Sequence, residues 1–339
     1  MENIIKQIKK EFKQIKNPYI FFDNDADGFC SFYQIAKYFD TFSFTMVKDR
    51  PLIDERFSYK LDETSFDAII ILDIAKVDES FLKKYSGYKI IWIDHHPQSE
   101  IKSRNNLIIL NSTDFKKDYP TSMLVYKIFK KEKLAMIIGC ISDWYIDRTI
   151  KSSIKKLQLD QLINKKETPG EILFDSSLGE KILFLNFSLK SNVTSFKRYI
   201  LELLEINLLN LDTEENPFFK KAKRIYDKYY AICNYKPLIN DDLYYLKYYE
   251  DVSVSTEVSN FLLVKYPKKK IIIVARDAID KISMSLRSNG HVNLTELMSY
   301  VFSQMNGFGG GHNNASGCSI AKDDEDFFIE IIKNSIKML

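Results

Sequence analysis

Apolar runs that end in acidic residues constrain the fold of this chain more than any other feature. Three such runs occupy residues 19–22, 66–72 and 89–93. The acids that follow them are Asp23, Asp25, Asp27, Asp73 and Asp94. Continuous apolar runs are typical of parallel strands that are buried on both faces. Because open α/β sheets bind ligands at the carboxyl ends of their strands, we expect these acids to line one site.

Several carboxylates at one sheet edge need a positive partner, since like charges in a partly buried site repel each other. Hard divalent cations are the usual partners of carboxylate oxygens. His95 and His96 follow Asp94 directly, and imidazole suits manganese, iron or zinc. A fourth apolar run, residues 135–142, ends at Asp143, and its periodicity does not decide between strand and helix. A single acid after a strand is often only a helix cap, but this repeated placement favours a metal site.

The length of 339 residues suggests two domains. Strand-like runs fill the first part of the chain, helical patterns follow, and strands return near residue 242. We therefore predict an α/β fold with a Rossmann-like parallel-sheet domain at residues 1–200, a helical linker at 201–237 and a smaller α/β domain at 238–339. A helical stretch of the linker, residues 218–232, carries five basic residues, and we favour a solvated connector there over a contact with a phosphate backbone. The five basic residues are Lys220, Lys221, Lys223, Arg224 and Lys228.

The C-terminal part contains a second set of candidate binding groups. Five of the chain's 11 glycines fall within residues 307–317. Glycines allow a backbone to approach a ligand and to direct N–H groups at an anion, and His312 adds a donor. A flexible surface loop is the alternative. Arg287 lies on the polar face of an alternating run at residues 281–288, where it suits either phosphate binding or an exposed strand face.

Composition excludes several other classes of protein. The four cysteines, Cys30, Cys140, Cys233 and Cys318, are widely separated and predict neither a zinc site nor disulfides. Reduced thiols are typical of a cytoplasmic protein. No apolar run reaches the length of about 20 residues that spans a bilayer, and the N-terminus lacks a signal-peptide core. The net charge of +3 does not by itself indicate nucleic-acid binding.

The ordered motifs resemble a known family. They are Asp-x-Asp-x-Asp-Gly at residues 23–28, Asp73, Asp94-His95-His96, and Gly-Gly-Gly-His-x-x-Ala-Ser-Gly at residues 309–317. In this order they are similar to the motifs of the DHH phosphoesterases with the smaller DHH-associated C-terminal domain, a group that includes RecJ-like exonucleases and nanoRNases. The resemblance covers nearly the whole chain. It implies an active site in the cleft between the two domains.

The resemblance also implies a role for each matched residue. Two manganese or magnesium ions would be held by Asp25 and Asp27, with Asp73 between them, and His95 would bind the second ion. Many relatives carry a histidine near the start of the first motif, whereas this chain has Asp23 two positions before Asp25 and Phe21 four positions before it. The implied metal ligands are Asp23, Asp25, Asp27, Asp73, His95 and Asp143. The implied catalytic residues are His96, which would face the scissile phosphate, and Asp94. The implied substrate-binding residues are Arg287, Gly309, Gly310, Gly311 and His312.

The activity that the resemblance implies is hydrolysis of short or single-stranded RNA or DNA to mononucleotides by water activated between two metal ions. Hydrolysis of a linear or cyclic dinucleotide, or of 3′-phosphoadenosine phosphate, is an open alternative. A non-catalytic nucleic-acid-binding replication subunit is another, although the retained acids and histidines argue against it. Digestion polarity, a replication or repair protein partner and a homodimer stay open. No membrane partner is expected.

Overall fold

The computed structural model describes residues 1–48, 52–97, 101–190, 196–238 and 242–338. The chain divides into two compact units, Met1–Lys223 and Arg224–Leu339. The division falls inside the segment that we predicted to be a linker. The predicted boundaries at residues 200 and 237 stay predictions.

The first unit is built on a parallel sheet, as the apolar runs predict. Its strands are β1 (Pro18–Asp23), β2 (Ser43–Val47), β3 (Leu52–Ile53), β4 (Ala68–Leu72), β5 (Lys76–Val77), β6 (Lys89–Asp94) and β7 (Leu107–Asn111). Five of them form one sheet in the order β2-β1-β4-β6-β7, and each neighbouring pair is parallel. β3 and β5 form a separate two-stranded parallel sheet.

Helices cover both faces of the five-stranded sheet. Phe22 stacks on Phe32 of the helix after β1, with ring centroids 4.2 Å apart. Phe21 points to the opposite face, where its ring lies 6.0 Å from that of Phe81. The α-helices of this unit are α1 (Glu2–Phe12), α2 (Ala26–Ala36), α3 (Ser58–Asp62), α4 (Glu79–Lys84), α5 (Thr121–Phe129), α6 (Lys133–Ser142), α7 (Arg148–Lys156), α8 (Asp160–Ile163), α9 (Pro169–Phe174), α10 (Ser177–Leu189), α11 (Phe196–Glu205) and α12 (Phe219–Cys233). α12 extends past Lys223 into the second unit.

The strand order places a crevice at the carboxyl ends of β1 and β4. The chain passes from β1 to β2 on one side and then returns to β4 on the other side of β1. Such a reversal of strand order leaves the loops after the two central strands on opposite sides, and ligands bind in the gap. Asp23 ends β1 and Asp73 follows β4, so the acids of two motifs meet at this crevice.

The second unit contains a mixed five-stranded sheet. Its strands are β8 (Leu243–Tyr248), β9 (Ile271–Asp277), β10 (Ile282–Arg287), β11 (Phe308–His312) and β12 (Ala315–Ile320), and its helices are α13 (Ser255–Lys265), α14 (Leu294–Gln304) and α15 (Glu325–Met338). The order is β11-β12-β10-β9-β8; β8 and β9 are parallel and the other pairs are antiparallel. Ile273, Leu286 and Phe328 lie in its core. The predicted α/β class is confirmed in both units.

Two local predictions need correction or a decision. The glycine-rich stretch is not a loop: β11 pairs with β12 as an exposed edge strand, and Asn313 and Asn314 form the turn between them. Gly311 has φ +153°, and a Cβ there would collide with the carbonyl oxygen of Ala315, so only glycine fits. The undecided run at residues 135–142 is helical, within α6, and is apolar all round because the helix is buried.

Two basic residues of α12, Arg224 and Lys228, form ion pairs. Arg224 Nη2 lies 2.9 Å from Asp251 Oδ2, and Lys228 pairs with both Glu250 and Asp251. These pairs agree with a connecting element better than with a surface for phosphates. None of the helices in the described residues is long and apolar enough to cross a membrane.

Candidate metal centre

The turn after β1 places three carboxylates at the crevice. Asp23 is the last residue of β1, and Asp25 is the N-cap of α2, where its Oδ1 accepts the N–H of Gly28 at 2.8 Å. Asp25 is exposed to solvent on one side, whereas Asp27, in the first turn of α2, is buried. The Asp-rich motif therefore caps a helix and also presents its carboxylates at the sheet edge.

Asp27 is held by a second helix. Its Oδ2 accepts the N–H of Thr121 at 2.8 Å and its Oδ1 accepts the N–H of Ser122 at 3.1 Å, both at the start of α5. Threonine and serine are common helix caps, so Thr121 or Ser122 would suit that role by sequence alone. Both residues instead lie inside α5, and the carboxylate of Asp27 binds the free N–H groups of its first turn.

Gly139 of α6 makes this arrangement possible. A Cβ at residue 139 would lie 2.5 Å from Ser122 Oγ and 2.9 Å from Asp27 Oδ1. Sequence reasoning did not assign Thr121, Ser122 or Gly139 to the site. The only local signal was a glycine in the apolar run before Asp143, and Asp27 is 94 residues away from Thr121 in the chain.

Asp73 and His95 occupy the middle of the centre. Asp73 has φ +59°, a left-handed conformation that is uncommon outside glycine, and its N–H donates to the carbonyl of Ile93 at 3.0 Å. His95 Nε2 lies 3.3 Å from Asp73 Oδ1, and His95 Nδ1 lies 3.4 Å from Asp143 Oδ2. Asp143 follows α6 rather than a strand, yet it reaches the same site.

Three overlapping groups have ligand atoms within 4.8 Å of one another. They are Asp23, Asp25 and Asp73; Asp27, His95 and Asp143; and Asp73, His95 and His96. All six residues proposed as metal ligands occur in these groups. Asp73 belongs to two groups, and so does His95. The arrangement thus offers two adjacent sets of oxygen and nitrogen donors.

Asp94 has a different position from the other acids. It is fully buried at the end of β6, and its Oδ1 accepts a hydrogen bond from His96 Nδ1 at 2.9 Å. Asp94 occurs in none of the three donor groups found among the described residues. His96 Nδ1 is 4.0 Å from Asp73 Oδ1, and the His95 and His96 ring centroids are 4.5 Å apart. The direct contact of Asp94 is with His96.

The clustered acids disfavour their own charged forms. Burial, together with the charge of Asp73, raises the pKa of Asp23 to about 7. Burial and the charges of Asp73 and Asp143 raise the pKa of Asp27 to about 8. Burial is also the main cause that raises the pKa of Asp143, to about 6. A carboxylate at such a position gains more from a bound cation than an isolated surface carboxylate does.

Asp73 and His95 behave as an ion pair in the absence of other cations. Burial opposes the charge on His95, but its hydrogen bond to Asp73 and the charges of Asp143, Asp73 and Asp27 raise its pKa to about 11. Burial also opposes the charge on Asp73, but the His95 hydrogen bond and the two histidine charges lower its pKa. The protonated imidazole of His95 thus supplies a positive charge among the acids when no metal ion is bound.

The residues fit a pair of hard divalent cations. Carboxylate oxygens suit magnesium and manganese, and an imidazole in the set favours manganese. Asp73 is the acid that the group with Asp23 and Asp25 shares with the group of His95 and His96, so it would contribute to holding both ions. His95 must be neutral to bind a metal, so an ion would displace its proton.

Comparison with known proteins agrees with this geometry. The family model of the DHH family, N-terminal domain, matches residues 17–147, and that of the DHHA1 domain matches residues 242–338. The chain belongs to the DHH family. No curated protein sequence matches it.

Solved structures share the fold of this DHH chain. RecJ from Thermus thermophilus in complex with Mn²⁺ has 13% identity and a TM-score of 0.68, covering 99% of this chain and 54% of RecJ. The pGpG-specific phosphodiesterase PggH from Vibrio cholerae has 15% identity and a TM-score of 0.53, covering 95% of this chain and 99% of PggH. CDC45 from Entamoeba histolytica has 10% identity and a TM-score of 0.56, covering 99% of this chain and 98% of CDC45. This chain spans about half the length of Thermus thermophilus RecJ.

The DHHA1 domain has a cavity of about 300 Å³ at its predicted substrate-binding residues. Ser283, Ser285 and Arg287 line it from the polar face of β10, and Gly310 and Gly311 line it from β11. No atom lies within 4 Å of a Cβ built on Gly310, so space is open above this part of the strand. Gly309 faces Cys318 instead, and His312 is exposed at the hairpin turn.

Arg287 is fixed before any ligand binds. Its Nε donates to Asn260 Oδ1 at 2.5 Å, and its Nη1 donates to the carbonyl of Leu286 at 2.8 Å. Burial lowers the pKa of Arg287 to about 10, which leaves the guanidinium charged at neutral pH. The alternating pattern left open whether Arg287 binds phosphate or lies on an exposed strand face. These contacts favour the first alternative, because the guanidinium is held at the edge of a cavity.

Proposed function

We propose that this DHH protein is a metal-dependent phosphodiesterase that hydrolyses short or single-stranded RNA or DNA to mononucleotides. The observation that carries the proposal is the set of three overlapping donor groups at the carboxyl edge of the DHH sheet, in each of which the ligand atoms lie within 4.8 Å of one another. Two manganese or magnesium ions are the proposed cofactors. Single-stranded nucleic acid is the proposed partner.

The proposed ligands divide between two ions that share Asp73. Asp23 and Asp25 would hold one ion, and Asp27, His95 and Asp143 would hold the other. When bound, such a pair lowers the pKa of an attacking water and stabilises charge on the phosphate oxygens. The contacts of Asp27 with the α5 backbone orient its carboxylate before any ion arrives.

His96 is the proposed proton donor. Asp94 accepts the Nδ1–H of His96, so Nε2 is the ring atom left to exchange a proton with the substrate. Burial opposes protonation of His96, but the hydrogen bond and charge of Asp94 raise its pKa above the ordinary value. A raised pKa favours the protonated form that can donate to a leaving oxygen. Asp94 would act through His96.

The DHHA1 cavity is proposed to bind the substrate end. The fixed guanidinium of Arg287 suits bidentate contact with a phosphate. The hydroxyl groups of Ser283 and Ser285 and the backbone at Gly310 and Gly311 supply further polar groups to the same cavity. His312 stays a proposed substrate contact on the basis of the motif.

A dinucleotide substrate is the second candidate. This chain covers 99% of PggH, a pGpG-specific phosphodiesterase, and PggH covers 95% of this chain. An exonuclease RecJ structure bound to manganese is covered to 94%, so coverage fits both candidates. The two candidates share their chemistry and differ in how many nucleotides are bound beyond the scissile bond.

The test is hydrolysis by the purified chain with Mn²⁺. We expect turnover of a single-stranded RNA or DNA of about five nucleotides, or of pGpG, and loss of turnover in His95→Ala, because the metal ligand set is broken. The exposed His291 provides a matched control, and His291→Ala should keep full activity. Equal activity of His95→Ala and the wild-type chain would point to a contaminating nuclease. No hydrolysis of any phosphodiester by the wild-type chain would favour a non-catalytic subunit.

A further inference from the structure

The N-terminal unit has a second cavity, of about 870 Å³, that is lined by none of the residues assigned above. All its described lining residues belong to the unit Met1–Lys223. They come from β1, β2, the region of α3 and the start of α11. Its volume lies within the range of about 300–1,000 Å³ that is usual for small-molecule and cofactor sites.

The charged groups of this cavity are mostly positive. Four of its described lining residues are basic, and one, Glu63, is acidic. The basic residues are Lys48, Arg56, Lys60 and Lys197. A concave surface with an excess of one charge concentrates counter-ions, so this cavity favours an anionic ligand.

Aromatic rings lie between the basic groups. The Lys48 ammonium is 4.0 Å from the ring centroid of Phe196, and the Lys197 ammonium is 5.9 Å from that of Phe44. Tyr59 also lines the cavity and is 60% exposed. Rings that offer a stacking face beside a positive charge are the combination with which proteins bind nucleotides of single strands.

The cavity follows the edge of the DHH sheet. β2 is the outer strand on this side, and residues 44–46 and 48 line the cavity. Lys48 directly follows Val47, which pairs with Asp23 at the carboxyl end of β1. The cavity therefore extends along the edge strand towards the same end of the sheet as the metal centre.

We propose that this cavity binds a nucleotide unit, with its base stacked on an aromatic ring and its phosphate on the lysines. A free nucleotide and one nucleotide within a single strand share this chemistry. The second source rests on the proposed function and deepens it, because a strand engaged here would continue beyond the scissile bond. Binding itself does not require the metal centre.

The test is binding of a fluorescently labelled single strand of about ten nucleotides to the full chain, followed by anisotropy with EDTA present to prevent hydrolysis. The test variants are Lys60→Glu/Lys197→Glu, which reverses two charges, and Tyr59→Ala, which removes an exposed ring. We expect the Kd to rise at least about fivefold in each, since one stacked base contributes about 1–3 kcal/mol. Lys60→Arg/Lys197→Arg should bind as the wild-type chain does.

Matched controls separate this site from general effects. Lys151→Glu changes an exposed lysine of α7, and Tyr230→Ala removes a ring that is 62% exposed, against 60% for Tyr59. Both controls should keep the Kd within about twofold of the wild-type value. Repeating the series in an Arg287→Ala background removes the contribution of the DHHA1 cavity. Circular dichroism checks folding, and Tyr59→Ala carries the test if the charge reversal unfolds the chain.

Competition with AMP identifies the source of the nucleotide. Displacement of the strand by AMP from the Arg287→Ala background assigns the cavity to a free nucleotide, and resistance to AMP assigns it to a nucleotide within a strand. The proposal is overturned if Tyr59→Ala and Lys60→Glu/Lys197→Glu bind both ligands as the wild-type chain does, or if the wild-type chain binds neither. Binding that depends on the cavity, without hydrolysis in Mn²⁺, would contradict the proposed function and leave this inference standing.

Discussion

At the scale of single residues, the three side chains of the DHH motif make different contacts. His95 contacts Asp73 and Asp143, whereas Asp94 contacts His96. The resemblance implied this grouping, with His95 among the metal ligands and His96 and Asp94 as catalytic residues, and the structure adds the hydrogen bond between Asp94 and His96. Adjacent side chains on a strand point to opposite faces. The chain turns after β6, and both imidazoles lie within 4.0 Å of Asp73.

These different contacts predict a specific result for Asp94→Asn. The substitution keeps the shape of the side chain but removes the charge that orients and protonates His96, so kcat should fall by about 10²–10⁴-fold. The affinity for Mn²⁺ should change little, because Asp94 belongs to none of the donor groups found in the described residues. Steady-state kinetics and a Mn²⁺ titration measure the two effects, with the exposed Asp40→Asn as the control. A fall in Mn²⁺ affinity of about 10–100-fold would instead make Asp94 a support of a metal ligand.

The acids also predict how stability depends on pH without a metal. The pKa values of Asp23 and Asp27 are raised to about 7 and about 8. The folded state thus holds these protons more tightly than the unfolded state does, and this stability is lost as pH rises through the folded-state values. His95, with its pKa raised to about 11, acts in the same direction. The lowered pKa of Asp73 matters only in acid, below its ordinary value.

With EDTA present, the free energy of unfolding should therefore fall by more than about 1 kcal/mol between about pH 6 and about pH 8. Urea unfolding at several pH values measures it. Mn²⁺ should reverse the trend, because a cation stabilises the charged carboxylates. Stability that rises over this interval without metal would contradict the electrostatic account of the centre.

At the scale of elements, the strands were predictable and the helix contacts were not. Residues 68–72 and 90–93 are apolar throughout because the strands they form are buried on both faces, so the pattern identified β4 and β6. The apolar pattern could not decide between strand and helix for residues 135–142, since a buried helix is also apolar all round. The cap of α5 is Asp27 from another helix, a partner that local capping rules cannot find.

The close approach of α6 to α5 predicts the effect of Gly139→Ala. The added methyl would meet Ser122 Oγ at 2.5 Å and Asp27 Oδ1 at 2.9 Å, so the helices must separate or Asp27 must move. We expect a loss of about 1–3 kcal/mol in the free energy of unfolding, with weaker Mn²⁺ binding. Gly87→Ala is the matched control, because nothing lies within 4 Å of a Cβ there. Unchanged stability and unchanged Mn²⁺ affinity would show that this contact does not position Asp27.

At the scale of the whole molecule, the order of the motifs predicted both domains. The DHH and DHHA1 family models cover the segments that carry the acids and the glycine-rich strand. The aromatic cavity could not be predicted in this way. Its residues come from separate segments that carry no motif, near residues 19, 44–48, 52–64 and 196–197, and only the fold brings them together.

The two units predict that metal binding and substrate binding can be separated. Arg287 lies in the unit Arg224–Leu339, whereas every proposed metal ligand lies in Met1–Lys223. Arg287→Ala should raise KM by about tenfold or more, since a charged hydrogen bond contributes about 1.5–3 kcal/mol, and it should leave Mn²⁺ affinity unchanged. Arg198→Ala is a control at an exposed arginine that pairs with Glu202. Weaker Mn²⁺ binding in Arg287→Ala, with an unchanged KM, would contradict this separation.

The most direct test of the DHH metal centre is a calorimetric titration of the full chain with Mn²⁺. Asp73 belongs to two of the three donor groups, so its charge would matter to both proposed ions. The account predicts two ions per wild-type chain and the loss of at least one in Asp73→Asn, with the stoichiometry unchanged in Asp40→Asn. A wild-type chain that binds no Mn²⁺ at millimolar concentration, or an Asp73→Asn variant that binds two ions with wild-type affinity, would contradict it.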